Sequence, residues 1–596
     1  MYRVLRTFDY MLVALFLAGI LGGFFYRAAY IDRYFGFGAN CNNCFTYSIF
    51  VHDTIYLSSL FLIFLSSFYF RKFIFYIPLR ISALFGLLVY LSDVVTMEQF
   101  HTRLKVGDVK IYGDQVSLVW RHITNTGLIS DNLWILASLF IAIIVVIFLP
   151  PRPVKNFRST LPLLLLPVVG IASGMILKPV SYVNDWALEN VIEANLKPGV
   201  AQSYSAEKIS QLIYGQENIE KWCRAGQNGK KNIVLLILES WSPYQSKYWS
   251  GINDWTPKLD LLARENTAIT QMHAGGFSTN EGLISLLAGL EYISPVKQFF
   301  DLKPFETAWG ITNTVPKVLN NNGYHTAFLT SGNLSFSRMS VWLKETGFEY
   351  VEGHDYPGYA GQKRLHFDAV PDDVLYQRAA KYIKDKQNKE KPSFVVVENV
   401  STHHPFIHPY SKEQSAEAVF HYMDDTVNAF YQQLKYQDFF DNGMMIIVTD
   451  HRAMLPISRE EKKLFGRAAA SRVPAILINT PTQSSEISML THQSDLLPTL
   501  ASYSGEQICG TGPYHNLFDA ENSDQHCVFH ARGDDRDHID VFCPRGSGTI
   551  VLDGDDTHFL SIDGLSDEDS KVLLDKVNRY RIIADLHQQQ FEKSKM

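Results

Sequence analysis

The chain has 596 residues, a net charge of -7 and a pI near 6.3. That length exceeds what one compact core supports, so two or more domains are expected, and the acidic balance excludes a general nucleic-acid binder. The averages conceal a division, because residues 1–180 carry long apolar runs and the remainder has the mixed polarity of an α/β protein facing water.

Five runs near 8–28, 47–70, 74–95, 132–150 and 160–177 approach the roughly 20 residues that span a bilayer. Arg3 and Arg6 precede the first, as in a signal peptide, but no small-residue cleavage site is obvious and four more runs follow. A retained span is therefore expected. Lys and Arg in short connections set orientation. Arg3 and Arg6, Arg71 and Lys72, and "PRPVKNFR" between the last two runs predict cytoplasmic ends, which sends everything after residue 178 outward. The longer 96–131 connection, with Arg103, Lys105, Lys110 and Arg121, counts against this and reads as partly interfacial. Arg80 inside the third run either snorkels or faces the bundle interior.

Cys41 and Cys44 ("CNNC") fall in the first outward connection, and Cys223, Cys509, Cys527 and Cys543 in the outward domain. The set suits an oxidising compartment, with no pairing readable. A lone CxxC with no second pair nearby reads as a local disulfide or free thiols before zinc. Residues 181–229 read as a helical linker along the membrane surface.

From residue 232 apolar strands alternate with amphipathic helices, which predicts a mainly parallel sheet with helices on both faces. "NIVLLILES" ends in Glu239, "SFVVVENVSTHHPF" runs on to His403 and His404, and "GMMIIVTDH" ends in Asp450 and His451. Open α/β sheets place ligands outside the carboxyl ends of their strands. Carboxylate oxygens, a hydroxyl and an imidazole nitrogen suit a divalent cation of intermediate hardness, Mn²⁺, Zn²⁺ or Mg²⁺. Between the first two strands, "HAGGFSTNEGLISLLAGLEY" at 273–292 sets Ser278 and Thr279 after a flexible turn and before an apolar helix. A hydroxyl there serves either as an N-cap or as a nucleophile.

These segments, with "WTPKLDLLARENTAIT", "VPKVLNNNGYHTAFLTSGN", "SRVPAILI" and "SDLLPTLASYSG" in order, resemble the alkaline phosphatase/sulfatase superfamily over nearly all of 230–505. The Cys-x-Pro-Ser-Arg motif that sulfatases convert to formylglycine is missing. A plain Thr, five spans and an outward domain resemble the membrane-bound lipoteichoic acid synthases and phosphoethanolamine transferases. The resemblance implies an α-helical transmembrane bundle (1–180), the linker (181–229), an extracytoplasmic sulfatase-like domain (230–510) and a C-terminal subdomain completing it (511–596).

By the same resemblance, Glu239, Thr279, Asp450 and His451 hold one divalent ion, Mn²⁺ before Zn²⁺ or Mg²⁺. Counting back from "LLAGL" makes Thr279 the nucleophile in preference to Ser278. His403, third in "STHHPF", binds the headgroup or protonates the leaving oxygen; Arg338 in "SGNLSFSR" clamps phosphate, with Asn333 in the same loop as a further substrate contact. Two departures stand out. Ser331 occupies the place of a His in the synthases, and Gln493 occupies the place of a second-metal His, with His492 one step out of register. The implied activity is phosphoglycerol transfer from a membrane phospholipid, phosphatidylglycerol, to an envelope glycan or lipid at the bacterial cytoplasmic membrane. Phosphoethanolamine transfer and a non-catalytic lipid sensor are the alternatives.

Overall fold

The computed structural model describes residues 2–35, 44–70, 72–100, 103–106, 143–144, 146–150, 157–179, 185–196, 204–214, 221–293, 313–387, 389–455, 457–511, 514–531 and 538–595, with 113 and 117. The chain divides into two units, one largely Met1–Val109 with Gly127–Lys197 and the other largely Pro198–Met454 with Glu460–Met596.

In the first unit, helices α1 (Tyr2–Phe35), α2 (Cys44–Ser66) and α3 (Phe73–Phe100) contain three segments long and apolar enough to cross a membrane. These are the first three of the five expected spans. The fifth is the helix Phe157–Ile176, whose described apolar stretch, Leu163–Ile176, is shorter. The fourth, at 132–150, lies mostly outside the described residues, as do Cys41 and the side chain of Cys44.

Phe16 stacks on Phe64 with centroids 4.2 Å apart, and Leu12, Phe61, Leu87 and Tyr90 fill the same helix interface. Charges buried among such residues must be paired. Arg80 faces the interior, donating to the Val146 carbonyl at 2.7 Å and to Ser67 Oγ at 3.2 Å. Arg27 pairs with Asp53, and Arg103 grips Asp93 through two hydrogen bonds of 2.6 and 3.1 Å. Both arginines also donate to backbone carbonyls, Arg27 to Ala187 and Leu188 and Arg103 to Glu189. Arg103 is thus neutralised internally, so a count of loop cations overstates its weight in orientation.

The stretch expected as a helical linker is not uniformly helical. The short helices Asp185–Leu188 and Val191–Leu196 belong to the first unit, the former held by those arginines. Residues 206–214 are helical in the second unit, where Tyr204 and Leu212 pack on Ile582. Lys221–Arg224 is instead a strand, β1, and pairs antiparallel with β11 (Ile508–Thr511). Cys223 lies opposite Cys509 and is bonded to it. A four-residue strand recruited by a partner 286 residues away leaves no periodicity to read.

The second unit is built on β2 (Asn232–Leu238), β3 (Thr267–His273), β4 (His325–Thr330), β5 (Tyr350–Glu352), β6 (Ser393–Glu398), β7 (Gly443–Thr449), β8 (Arg472–Ile478), β9 (Glu486–Ile487) and β10 (Thr491–His492). Their order is β10-β3-β8-β7-β2-β6-β4-β5, with β9 beside β3; β8 runs antiparallel to both neighbours. All seven β2 residues are buried. Ile233, Leu235 and Ile237 join one core with Leu283, Leu287, Leu319 and Leu500, while Val234 and Leu236 point to the other face. Covered faces on both sides explain why the strand reads as continuous apolar sequence.

The chain closes with a four-stranded antiparallel sheet, β12 (Val528–Ala531), β13 (His538–Cys543), β14 (Gly546–Val551) and β15 (His558–Asp563), then the helix Asp567–Lys595. Phe529, Val541, Ile550 and Leu573 enter the same core as β2. Cys527–Cys543 joins β12 to β13 across 16 residues.

Loop-closure entropy makes the long bridge the more stabilising of the two. Replacing Cys223 and Cys509 by Ser is expected to cost roughly 5 kcal/mol, against roughly 3 for the Cys527–Cys543 pair. Thermal melts of the two double variants check the order.

Candidate active site

Strand register assembles this site. In the parallel pair β2/β7, Leu238 lies opposite Thr449, so the next residues, Glu239 and Asp450, leave the sheet side by side. In β6 the pairing of Ile237 with Glu398 brings Asn399 to His403 alongside, and β4 adds the 331–338 loop beyond Thr330. One sheet edge therefore carries the Asp450–His451 pair, Glu239, the His403 loop and the Arg338 loop in spatial order.

The helix Thr279–Ala288 supplies the hydroxyl. Ser278 is its N-cap, with its amide donating to Glu281 Oε2 at 2.7 Å and its hydroxyl engaging the same carboxylate. That capping box occupies Ser278. Thr279 Oγ1 lies 3.2 Å from Glu239 Oε2 and 3.5 Å from His451 Nε2. Gly289 (φ 65°) ends the helix in the left-handed conformation. Gly282 has a different reason, since a Cβ there would stand 2.2 Å from the Asp450 carbonyl oxygen.

Glu239, Asp450 and His451 are all buried, and their ligand-type atoms lie within 4.8 Å of one another. His451 Nε2 is 3.2 Å from Glu239 Oε1 and 3.3 Å from Asp450 Oδ2. Its Nδ1–H donates to the Arg452 carbonyl at 2.8 Å, which leaves Nε2 as the coordinating nitrogen. Asp450 Oδ1 accepts from the amides of Ser240 (2.9 Å) and His451 (2.8 Å), whereas Oδ2 accepts no hydrogen bond.

The electrostatics follow from that crowding. Burial and the Glu239 charge push the Asp450 carboxyl upward. Burial also opposes ionisation of Glu239, but His451, with a smaller contribution from His403, holds its carboxyl below the usual range. Burial disfavours charge on His451 too, yet the two carboxylates raise the imidazole to about 10. A proton on Nε2 thus occupies the position where a cation balances two carboxylates. An unsatisfied Asp450 oxygen, an aligned imidazole and a hydroxyl form a donor set that fits a divalent ion.

The other expected residues lie on neighbouring loops. His403 is half-buried and its Nδ1–H donates to the His404 carbonyl at 2.5 Å. Its ring meets Phe367 at 4.8 Å, and Phe367 meets Phe336 at 5.0 Å, so three aromatic side chains join the His403 and Arg338 loops. Arg338 is half-buried and, with Ser337, holds a left-handed backbone (φ 56° and 50°). Both ends of the Asn333 amide are engaged within these loops, Nδ2 with Asp368 Oδ2 at 2.9 Å and Oδ1 with the Ser335 amide at 3.0 Å. Ser331 is buried and donates to the Val370 carbonyl. Gln493 ties the site from behind: its Nε2 donates to the carbonyls of Thr449 and Asp450 at 2.6 and 2.7 Å, and its Oε1 accepts from the Gly275 amide.

Sequence reasoning missed three contributors. Glu398 is a third buried carboxyl, raised well above its usual range by burial and then by Asp450 and Glu239. Asn399 accepts the Glu239 amide at 2.6 Å and is itself oriented by Asp372 at 2.9 Å. Thr402 donates to the Glu239 carbonyl at 2.6 Å. Polarity at a strand end was the available signal, since Glu398 and Asn399 close an apolar run just as Glu239 does.

A buried carboxylate–imidazole cluster at the carboxyl edge of a mixed α/β sheet, facing a hydroxyl at a helix start, defines the class of protein. Residues 231–506 match the Sulfatase family model. Phosphoglycerol transferase I of Escherichia fergusonii is 24% identical over 253 residues, covering 38% of this chain and 32% of that protein. Its Escherichia coli counterpart is 24% identical over 256 residues, covering 38% and 31%. The chain thus spans about a third of the length of the curated relatives it matches. Among solved structures, an alkaline phosphatase superfamily protein from Vibrio parahaemolyticus aligns with a TM-score of 0.52 at 19% identity, covering 66% of this chain and 98% of that one.

Replacing Gly282 by Ala should press a methyl group against the Asp450 carbonyl. Overpacking of this kind costs about 1–3 kcal/mol. The expected result is a lower melting temperature together with weaker Mn²⁺ binding in a titration. Unchanged Mn²⁺ affinity would show that this contact does not set the position of Asp450.

Proposed function

We propose that the protein is a membrane-anchored, metal-dependent transferase that moves phosphoglycerol from phosphatidylglycerol to an envelope glycan or lipid, through a phosphothreonine intermediate. The observation that carries this reading is the hydroxyl of Thr279, within 3.5 Å of both Glu239 and His451, while its neighbour Ser278 is committed to the cap. Names of relatives at 24% identity lend support to the headgroup.

Glu239, Asp450, His451 and Thr279 would hold the ion, Mn²⁺ in this proposal. When bound, it lowers the pKa of the threonine hydroxyl and neutralises charge on phosphate. In the first step Thr279 Oγ1, its proton released to solvent, forms a bond to phosphorus and the bond to the diacylglycerol oxygen breaks. His403 protonates that leaving oxygen. Arg338 offers a planar guanidinium to two phosphate oxygens, and the N-terminus of the ten-residue Thr279 helix favours an anion beside it. An acceptor hydroxyl then displaces Thr279, with His403 taking its proton. The catalytic domain stands on the outer face of the cytoplasmic membrane in this reading, where both lipid and envelope acceptor are available.

Incubation of the purified full chain with labelled phosphatidylglycerol and, separately, phosphatidylethanolamine tests the assignment. The expected outcome is diacylglycerol release from the first only, with a phosphoglycerol adduct on Thr279 by intact mass and peptide mapping. Thr279→Ala should remove almost all turnover and stay folded, whereas Ser278→Ala, losing a cap worth about 1 kcal/mol, should retain substantial activity. Turnover of phosphatidylethanolamine alone would overturn the headgroup. An active Thr279→Ala protein beside a dead, folded Ser278→Ala protein would move the nucleophile.

A further inference from the structure

Among the described residues, a second group of ligand-type side chains lies apart from Glu239, Asp450 and His451: Asp495, His515 and His526, each offering an atom within 4.8 Å of the others. They come from distant parts of the chain. Asp495 stands at the start of the helix Leu496–Tyr503, while His515 and His526 flank the turn that leads into β12. Nothing in the phosphoryl-transfer reading uses them.

Their hydrogen bonding is incomplete in a specific way. Asp495 Oδ2 accepts from the His492 amide at 2.8 Å, but Oδ1 faces His526 Nε2 at 3.7 Å, too far for a hydrogen bond. His526 is buried, and neither of its ring nitrogens has a partner; the buried Nδ1 of His515 has none either. The two imidazole rings approach to 3.4 Å between centroids at 48°, closer than the 4.5–7 Å at which aromatic rings usually pack. Bringing unpaired nitrogens and a carboxylate oxygen together in a dry interior is costly unless something joins them. The neighbouring charges of Glu291 and Lys576 pair with each other at 2.8 Å.

We infer that Asp495, His515 and His526 form a second divalent-cation site that pins the segment before β12 to the start of the Leu496–Tyr503 helix. Two imidazole nitrogens and one carboxylate oxygen make a borderline donor set that takes Zn²⁺ in preference to Mn²⁺. This differs from the oxygen-rich set at Thr279. The site bears on the first one mechanically. Gln493, two residues before Asp495, holds the carbonyls of Thr449 and Asp450. On the other side the Ala531 amide donates to the Gly275 carbonyl, in the loop before Thr279. A cation at Asp495 therefore steadies both sides of the Thr279 site without touching substrate.

The test uses the full chain, stripped with chelator, loaded with Zn²⁺ and desalted before metal analysis. Two equivalents are expected for the wild type, and one for Asp450→Asn combined with His451→Ala. His515 is only half-buried, so His515→Gln should fold and should drop the wild-type protein from two equivalents to one. Co²⁺ added to the Asp450→Asn, His451→Ala protein should give visible d–d absorption, lost when His515→Gln is added. One equivalent in the wild type, absent from the Asp450→Asn, His451→Ala protein, would overturn the inference. So would Co²⁺ absorption that survives both His515→Gln and His526→Gln. Neither readout involves turnover, so failure here and failure of the transferase reading are separable.

Discussion

Two carboxylates leaving adjacent parallel strands at the same level must share one small dry volume, and the surrounding structure answers that constraint. Glu239 and Asp450 have no freedom to separate, because each follows directly on a register-paired residue of a strand buried on both faces. Repulsion between like charges grows as water is excluded. The chain responds with amides of Ser240 and His451 on one Asp450 oxygen, the His451 imidazole raised to about 10 between the two groups, and a third carboxyl, Glu398, that burial and its two neighbours push above its usual range. A divalent ion answers the same constraint more completely, since it replaces one proton's charge with two. The cluster in this sense suits a divalent cation.

That constraint was legible in the sequence because its cause is local. A strand buried on both faces reads as an unbroken apolar run, so the first carboxylate after it stands out, and Glu239 and Asp450 were found in this way. The helix start carries a local signal too: "STNE" is a Ser-x-x-Glu capping box, and Ser278 is engaged with Glu281. Glu398 was harder, because the polar tail after β6 drew attention to His403 and hid the carboxyl that closes the strand itself.

What stayed illegible depends on distant partners. β1 exists because β11 and a disulfide capture four residues, and neither leaves a trace in local pattern. Asp495, His515 and His526 share no motif spacing; only the return of the chain after the Leu496–Tyr503 helix brings them together. Arg103 reads as a loop or interface cation, yet it and Arg27 are each buried against an aspartate and backbone carbonyls from residues 187–189.

The sheet edge and the loops beyond it divide the chemistry between rigid and strained parts. Glu239, Asp450 and His451 sit within two residues of buried strands, where packing leaves little alternative position. The Arg338 loop and the adjoining 366–368 turn carry four non-glycine residues in the left-handed region, Ser337, Arg338, Phe367 and Asp368, as two consecutive pairs. Each costs on the order of 1–3 kcal/mol and persists only where its surroundings over-determine it. Here the Asn333–Asp368 hydrogen bond and the Phe336–Phe367–His403 ring contacts supply that determination. Ser331, which takes the place of a histidine in the resembling synthases, spends its hydroxyl on the Val370 carbonyl and is buried. In the Arg338 loop, Arg338 itself is half-buried and holds one of those left-handed positions. Those loops can be rebuilt while the carboxylate pair stays where the sheet puts it.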